Sequence, residues 1–317
     1  MNFARRRIAC IGGIDVDYKA RAKAPAQRGT SNPVTVTSCT GGVAGNVARN
    51  LARLGCEVSL FSIVGSDAAG DVVQRELEQL GIGTSFLSRS NDQPTASYTA
   101  VLEPDGQLFI GLANMEIFEE LTPDWAQEIA AQLKSYPIWF LDTNLPGATI
   151  ERLLRNHKRS AMVLADPISI AKAAKLAGLL GCIDVLFPNK KEAGVLSGRN
   201  AETRGEIEGV AREIRQRGAG TVVVTLGEEG VYVDDVNGGR FVPPIPPEQI
   251  VDVTGAGDAL VAGYAYGMAS DGKEDAVLMA LAAASLALET EDSVSREMTP
   301  ERLSRRIEIH KKRMMSS

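Results

Sequence analysis

Residues 251–263 of the chain read VDVTGAGDALVAG. The small residues 255–257 precede Asp258, and an apolar, alanine-rich stretch typical of a buried helix follows. A helix that begins at 255–258 directs unpaired backbone N–H groups, and the positive end of its dipole, at whatever lies in front of it. Such a helix start binds anions such as phosphate. Aspartate is also common there because it caps N–H groups, so this stretch alone fits either a capped helix start or an active site.

Short apolar runs alternate with amphipathic segments along most of the chain. The runs predicted as buried strands are 6–12, 57–65, 138–142, 161–166, 184–188 and 221–227. The segments predicted as helices are 43–54, 68–80, 123–134, 147–156, 170–180, 189–196 and 203–217. This order predicts an α/β fold with a mostly parallel sheet covered by helices on both faces. Ligands in such folds bind beyond the carboxyl ends of the strands.

Two segments interrupt this alternation. Residues 32–38 and 95–112 have strand patterns without intervening helices, and EPDG at 103–106 predicts a hairpin turn. We interpret them as a small accessory β-sheet, or lid, inserted into a single domain that spans 1–317. Its apolar positions are Val34, Val36, Leu108, Ile110 and Leu112. An exposed apolar sheet needs cover, so we expect substrate on one face and a second subunit on the other, which predicts a homodimer.

Composition and charge exclude several classes of protein. The chain has 317 residues, of which 44% are hydrophobic and 23% charged, as in ordinary globular proteins. A net charge of −6 argues against nucleic-acid binding, and the basic stretch at 302–313 is interpreted as a solvated helix face or tail. No apolar run is long enough to span a membrane, and the N-terminal segment 1–13 lacks the apolar region of a signal peptide.

The cysteines and histidines are few and scattered. Cys10, Cys39, Cys56 and Cys182 lack metal-ligand or disulfide-framework spacing, which predicts reduced thiols and a cytoplasmic protein. His157 and His310 have no sequence neighbours suited to catalysis, so histidine chemistry and histidine-rich metal sites are disfavoured.

The common phosphate-binding motifs are absent. No G-x-x-x-x-G-K-[ST] occurs, and IGGID at 11–15 is not G-x-G-x-x-G, so a P-loop enzyme and an NAD-dependent reductase are disfavoured. A glycine-rich turn does open an amphipathic helix in CTGGVAGNVARNLARLG (39–55), where Asn46 and Asn50 lie one turn apart. Alone, this stretch fits either a binding site or a close packing joint between helix and strand.

Together, four motifs resemble the ribokinase, or PfkB, family of carbohydrate and nucleoside kinases over nearly the whole chain. They are GGVAGNVARNLARLG (41–55), FPNKKEAGVL (187–196), VTLGEEGVYV (224–233) and DVTGAGDALVAGY (252–264). The resemblance implies a ribokinase-like three-layer α/β fold with a lid, and ATP-dependent phosphoryl transfer.

The resemblance also implies roles for individual residues. Asp258 would be the catalytic base, with Gly255, Ala256 and Gly257 as the anion hole. Sugar hydroxyls would bind Asp17, Gly42 and Asn46, with Asn144 nearby; the family often has asparagine where this chain has Asp15. ATP would bind at Asn189, Thr225, Gly227 and Gly230, and Glu192 would act on Mg²⁺ indirectly. Asp252 and Thr254 match ligands of a monovalent cation such as K⁺, whose other ligands would fall within 289–295; dependence on that cation stays open.

Softer motifs resemble the pseudouridine kinases within that family. These are TSNPVTVTSCTGGVAGNVARNLARLG (30–55), PTASYTAVLEPDGQL (94–108), NMEI (114–117) and DTNL (142–145). They imply transfer to the 5′-hydroxyl of a ribosyl compound, with Thr95, Ser97, Tyr98 and Asn114 as polar groups for a nucleobase. The alternatives are a ribokinase, another nucleoside kinase, a sugar-acid kinase of the 2-keto-3-deoxygluconate type, and a non-catalytic nucleotide- or sugar-binding protein.

Phosphoryl transfer depends mainly on positioning and on neutralising charge. We expect a carboxylate at a helix N-terminus to have a lowered pKa and to be a weak base. In a loose transition state the hydroxyl proton leaves late, so an oriented weak base is adequate.

Overall fold

The computed structural model describes residues 6–157, 161–270 and 275–315. The strands are β1 (Arg7–Ile11), β2 (Asp15–Ala22), β3 (Val34–Gly41), β4 (Glu57–Gly65), β5 (Leu87–Ser90), β6 (Ser97–Leu102), β7 (Leu108–Asn114), β8 (Ile138–Asp142), β9 (Met162–Asp166), β10 (Val185–Leu186), β11 (Thr221–Thr225), β12 (Val231–Asp235) and β13 (Gly238–Val242). The helices are α1 (Val43–Arg53), α2 (Ala68–Gln79), α3 (Pro123–Leu133), α4 (Gly147–Asn156), α5 (Ile170–Ala173), α6 (Lys190–Ser197), α7 (Arg204–Gln216), α8 (Ala256–Ala269), α9 (Ala276–Ala287) and α10 (Pro300–Met315).

The main sheet has nine strands in the order β13-β12-β11-β10-β9-β8-β1-β4-β5. Its pairs are parallel from β5 to β11, and β12 and β13 add an antiparallel edge. All six predicted apolar strands are confirmed within this sheet. They were recognisable because a strand covered on both faces is apolar along its whole length.

The main sheet is the middle of three layers. In β1, Ile8 and Cys10 belong to one hydrophobic cluster, whereas Ala9 and Ile11 belong to another. Helices α1, α8 and α9 supply the first cluster, and helices α3, α4, α6 and α7 supply the second. The predicted three-layer α/β fold is therefore confirmed.

The lid is a four-stranded sheet in the order β3-β2-β6-β7. The two predicted lid segments contain three of its strands, β3, β6 and β7, and the fourth, β2, was not indicated by the apolar patterns. Strand β2 reads DVDYKARA, in which charged side chains alternate with apolar ones, as expected of a strand with one polar face.

Register assigns the lid residues to two faces. Asp17 of β2 is opposite Cys39 of β3 and Tyr98 of β6, so these three side chains share one face, which we call the cleft face. Val36, Ile110 and Leu112 lie on the other, which we call the outer face, and are 55%, 45% and 54% exposed. Leu108 lies beyond a bulge and pairs with Leu102, so it does not continue the outer apolar row.

One helical prediction differs clearly from the structure in extent. The helix expected over 170–180 ends at Ala173 and continues as a 3₁₀ turn, Ala174–Leu176, before a glycine-containing segment. The basic C-terminal stretch is helix α10, which buries Leu303 and Ile307 and exposes most of its charges.

No helix in the described ranges combines the length and apolar character needed to cross a bilayer. All four cysteines are free thiols, as predicted. The first five residues of the segment tested as a signal peptide lie outside the described residues.

Candidate active site

The centre of the site is a hydrogen bond between two of the four motifs. The side-chain Nδ2 of Asn46, on α1, donates to Asp258 Oδ2, in the first turn of α8, at 2.8 Å. Asp258 thus contacts a second helix, α1, which simple capping of its own helix would not require. The glycine-rich turn and the GAGD stretch form one site.

Arg49 fixes the direction of the Asn46 amide. Its Nη1 donates to Asn46 Oδ1 at 3.2 Å and to the carbonyl of Thr40 at 2.7 Å, and its Nη2 pairs with Glu76 at 2.7 Å. Because a guanidinium only donates, the Asn46 oxygen must face Arg49, and the NH₂ group must face Asp258.

Asp142 ties the start of α1 to the ends of two central strands. Its Oδ2 accepts from the backbone N–H groups of Gly13 at 2.9 Å and Ala44 at 3.0 Å. Its Oδ1 accepts from the backbone N–H of Asn144 at 2.8 Å. The buried carboxylate therefore holds Asn144 beside the start of α1.

Gly42, part of the glycine-rich motif, also packs closely against the backbone that follows β1. It has φ of 83°, and a Cβ there would lie 2.6 Å from the carbonyl oxygen of Gly13. Only glycine accepts that conformation and that contact without strain.

The glycines before Asp258 differ from one another. Gly255 has φ of 77°, and a Cβ there would collide with the carbonyl oxygen of Ser293. A Cβ on Gly257 would meet no atom within 4 Å, because this side of the helix start faces open space. The backbone N–H groups at 256–258 are at the start of α8 and lack partners from their own helix; that of Ala256 makes a long contact of 3.4 Å with the Val253 carbonyl, and all three lie where an anion can bind.

The pKa of Asp258 is shifted upward, whereas we expected it to be lowered. Burial raises it to about 7, opposed by the hydrogen bond from Asn46 and reinforced by the nearby carboxylates of Asp142 and Asp17. The helix N-terminus was expected to lower it, but loss of water and two like charges outweigh that effect. Asp258 is therefore a stronger base than predicted.

Asp15 and Asp17 approach the site from β2. A Cβ on Gly41 would collide with both carboxylates, so each packs against the backbone of β3. Burial raises the pKa of Asp17, and Lys19 and Arg49 oppose that rise. Burial, reinforced by Asp17, raises the pKa of Asp15 to about 8. Asp15 Oδ1 has no hydrogen-bond partner among the described residues, so Asp15 is poised to be a neutral acid at pH 7.

The residues matched to nucleotide binding lie at the ends of β10 and β11. Asn189 and Thr225 form a parallel bridge, and Gly227 and Gly230 take positive φ angles of 62° and 88° in the following turn. Asn189 and Glu192 form a capping box at the start of α6, in which Asn189 donates to both Glu192 oxygens at 2.9 and 2.7 Å.

This capping box limits how Glu192 could hold Mg²⁺. Both of its oxygens already accept hydrogen bonds, so a contact through water fits better than direct ligation. The described residues contain no cluster of three or more metal-ligating side chains. These residues fit a Mg²⁺ ion carried mainly by nucleotide phosphates and water, which is its usual mode of binding.

Three of the four lid residues predicted to face a nucleobase do not fit that role. Thr95 donates its hydroxyl proton to Asp67 at 2.6 Å and accepts from the Gly65 N–H at 3.0 Å, so it braces the start of α2. Ser97 pairs with Asn114 and Val16, which assigns both polar side chains to the outer face. Of the four predicted residues, only Tyr98 lies on the cleft face with Asp17.

The residues matched to a monovalent cation are already paired. Lys19 Nζ donates to Asp252 Oδ2 at 2.6 Å, and Thr254 donates to Asp252 Oδ1 through its backbone N–H at 2.9 Å and its hydroxyl at 2.7 Å. An ammonium group thus occupies the carboxylate that the cation would use. The residues present do not fit a free monovalent cation, which corrects the prediction for Asp252 and Thr254.

Several groups at the site were not singled out from the sequence. Lys172 donates to Asn144 Oδ1 at 2.5 Å. Asp166 ends β9, and its pKa is raised well above the ordinary value, first by burial and then by carboxylates that include Asp258 and Glu192. The position of Asp166 after an apolar strand was the available signal, since ligand sites gather at the carboxyl ends of parallel strands. Lys172 follows no comparable pattern.

Comparisons with known proteins identify the family to which the chain belongs. The model of the pfkB family of carbohydrate kinases matches residues 5–299. A pseudouridine kinase from Escherichia coli is 30% identical over 259 residues, which cover 81% of this chain and 82% of that protein.

Solved structures show the same likeness. A carbohydrate kinase from Agrobacterium tumefaciens matches with a TM-score of 0.84 and 31% identity, over 95% of this chain and 97% of that one. An Arabidopsis thaliana ribokinase, described as complexed with ribose and ATP, matches with a TM-score of 0.82 and 24% identity, over 95% and 98% of the two chains. The chain belongs to the pfkB family of carbohydrate kinases and is an ATP-dependent sugar or nucleoside kinase.

Proposed function

We propose that the enzyme transfers the γ-phosphoryl group of ATP to the 5′-hydroxyl of a ribosyl compound, and that its preferred acceptor is pseudouridine. The observation that carries the transfer chemistry is the Asn46–Asp258 hydrogen bond, which aligns a base of suitable pKa with an open helix start. The resemblance to a pseudouridine kinase supports the choice of acceptor.

Asp258 orients the attacking hydroxyl and accepts its proton. With a pKa near 7, an appreciable fraction of its carboxylate is ionised at neutral pH. Asn46 donates to one oxygen, Oδ2, which leaves Oδ1 to receive the hydroxyl. Holding the hydroxyl in line with the phosphoryl group supplies most of what this reaction needs from a protein.

The N–H groups at 256–258 stabilise the negative charge of the transferred group. They are fixed by α8 and need no rearrangement as charge develops. Mg²⁺ bound to the nucleotide phosphates would neutralise further charge, with Asp166 and Glu192 holding its water ligands.

The nucleotide lies, in this proposal, over the ends of β10 and β11. Thr225, Gly227 and Gly230 shape the turn there, and Asn189 sets the start of α6 beside it. The two positive φ angles allow this backbone to approach a ligand closely.

The ribose lies between the lid and α1. Asp17 faces the cleft from β2, and Asn144, held by Asp142 and Lys172, faces it from the end of β8. Two hydroxyls bound by Asp17 and Asn46 leave the remaining one to meet Asp258.

Tyr98 would recognise the nucleobase. Its hydroxyl lies over Gly111, at the position that a Cβ there would take, so its ring extends along the cleft face. An aromatic ring beside the ribose site can stack on a base, and free ribose would leave it uncovered.

A comparison of acceptors by ADP release tests this proposal. We expect kcat/KM to be higher for pseudouridine than for uridine, whose glycosidic nitrogen removes one ring N–H donor, and lowest for ribose. Ribose or a sugar acid as the best acceptor would refute the pseudouridine assignment while leaving the kinase activity intact.

Tyr98→Leu isolates the contribution of the base. It should reduce the preference for pseudouridine over ribose by about fivefold to a hundredfold, the value of one base–aromatic stack. Ser97→Ala, the neighbouring change on the outer face, is the matched control and should leave that preference unchanged. Equal effects of the two variants would contradict the assignment of faces.

Three further proposals concern the whole chain. Residues 1–317 form one catalytic domain. Two copies pair through the outer face of the lid, because Val36, Ile110 and Leu112 expose apolar surface there. The four free cysteines favour a cytoplasmic location.

A further inference from the structure

Lys19 joins the lid to two loops of the main body. It lies on β2, two residues after Asp17 and on the same face. Its ammonium donates to Asp252 Oδ2 at 2.6 Å and to the carbonyl oxygen of Glu291 at 3.3 Å. One positive charge from the lid therefore bridges the loop before α8 and the loop after α9.

These two loops determine where α8 begins. Asp252 Oδ1 accepts both the backbone N–H and the hydroxyl of Thr254, the residue before Gly255. Gly255 in turn packs against the Ser293 carbonyl without room for a Cβ. The position of the Asp252 carboxylate is thereby transmitted to the N–H groups that face the transferred phosphoryl group.

We propose that the Lys19 ammonium replaces a bound monovalent cation in this enzyme, so that turnover is independent of K⁺. An ammonium group is a compact unit charge with three donors, and the two loops offer it a carboxylate and a carbonyl oxygen. Because β2 already holds the group, no ion has to be taken from solution.

The electrostatics agree with a permanent ion pair. Burial would raise the pKa of Asp252, but hydrogen bonds from Lys19 and Thr254 hold it below its ordinary value. The carboxylate is therefore ionised wherever the enzyme works, and it always requires a counter-charge.

Because the Lys19 ammonium belongs to the lid, it links two parts of the protein that a free ion would not link. Asp17 and Lys19 are about 7 Å apart along one strand. A movement of β2 that shifts Asp17 against the ribose would also shift the ammonium that Asp252 holds. Acceptor binding and ordering of the anion hole are thus coupled through a single strand.

The first test uses the unaltered enzyme and rests on the kinase activity, not on the identity of the acceptor. Thermal unfolding and ADP release are compared in KCl and in choline chloride at equal ionic strength. We expect the same Tm and the same turnover in both salts. A higher Tm in KCl, or activation beyond about threefold, would show that a free cation still binds and would overturn the proposal.

The second test removes the charge. Lys19→Met should lower turnover about tenfold or more in choline chloride, because Asp252 loses its counter-charge, and KCl should restore most of it. Its Tm should rise with KCl concentration and saturate, as expected when an ion binds the folded state. A general loss of structure would not respond to K⁺ in this way.

Lys23→Met is the matched control, since it makes the same change just beyond the same strand. It should behave as the wild type in both salts. Lys19→Met impaired equally in both salts, with no response of Tm to K⁺, would refute the replacement of a cation. If Lys19→Met does not fold, Lys19→Gln takes its place, and the wild-type comparison remains decisive.

Discussion

The side-chain amide of Asn46 donates to Asp258 Oδ2 at 2.8 Å, although 212 residues separate them in the sequence. Arg49 holds the other end of the same amide, so its NH₂ group always faces the carboxylate. This donor favours the ionised form of Asp258 and opposes the rise in pKa caused by burial.

Asn46→Leu should therefore move the acidic limb of the pH–kcat/KM profile to higher pH. The wild-type limb should lie near pH 7, since the base must be ionised to work. Loss of a charge-assisted hydrogen bond should shift it upward by about one to two pH units. Asn50→Leu, one turn further along α1, removes a buried donor to the Asn46 carbonyl and is the control. A limb that stays in place in Asn46→Leu would contradict this account.

Asp258→Asn should reduce turnover about a hundredfold or more, the usual effect of losing a general base. The asparagine oxygen can still accept from Asn46, so the fold and ATP binding should persist. Single-turnover kinetics and nucleotide titration check both statements. Near-normal turnover would exclude Asp258 as the base.

The two glycines of the anion hole should respond differently to alanine. Gly255→Ala should lower the free energy of unfolding by about 1–3 kcal/mol or more, because of its positive φ and the Ser293 carbonyl. Gly257→Ala should keep or raise that free energy, since its Cβ meets no protein atom and alanine favours helices. Turnover should nevertheless fall in Gly257→Ala, because the methyl group enters the space of the phosphoryl group. Denaturant unfolding and ADP release separate the two effects, and full activity in Gly257→Ala would argue against phosphate binding there.

Asp15→Asn should change how stability depends on pH. With a pKa near 8, folded Asp15 keeps a proton that the unfolded chain releases near pH 4. The folded state then binds more protons between these values, so this group lowers stability as pH rises through that window. The variant should therefore gain stability relative to wild type at pH 8 but not at pH 4, with exposed Asp92→Asn as the baseline. Urea unfolding at both pH values is the measurement, and a gain independent of pH would contradict the raised pKa.

Sedimentation of the wild type at micromolar concentration should show a dimer. Leu112→Lys on the outer face of the lid should convert it to a monomer, because a charge would be buried in an apolar interface. Val236→Lys, at a position 83% exposed in the turn after β12, is the control and should remain dimeric. A monomeric wild type would reject the proposed pairing.

The sequence predicted the elements that pattern alone determines. Strands buried on both faces, such as β4 and β8, are continuous apolar runs and were located almost to the residue. Strand β2 was missed because only every second residue is apolar and the others are charged. Strand β12 was missed because its apolar residues, VYV, were assigned to the nucleotide motif and its last two residues are acidic. Strand β13 follows after a turn of only two residues.

The site was predicted where a motif carries it and missed where only the fold brings residues together. Asp258 and Asn46 were each recognised, but their contact depends on how α1 and α8 pack. Lys19 reaches Asp252 across 233 residues, and no local pattern marks it. The pKa of Asp258 was predicted in the wrong direction because the sequence shows the helix end but not the burial of the carboxylate, nor Asp142 beside it.

The register of the lid also limits which changes in strand length this protein can tolerate. Tyr98 and Ser97 are neighbours in sequence but belong to opposite faces. A one-residue insertion between Ser97 and Tyr98, within β6, would move Tyr98 to the outer face and, through the β6–β7 hairpin, Ile110 and Leu112 to the cleft face. A two-residue change would keep both rows in place. Relatives should therefore differ in the length of this strand by even numbers, and libraries that redesign the acceptor site should vary it in steps of two.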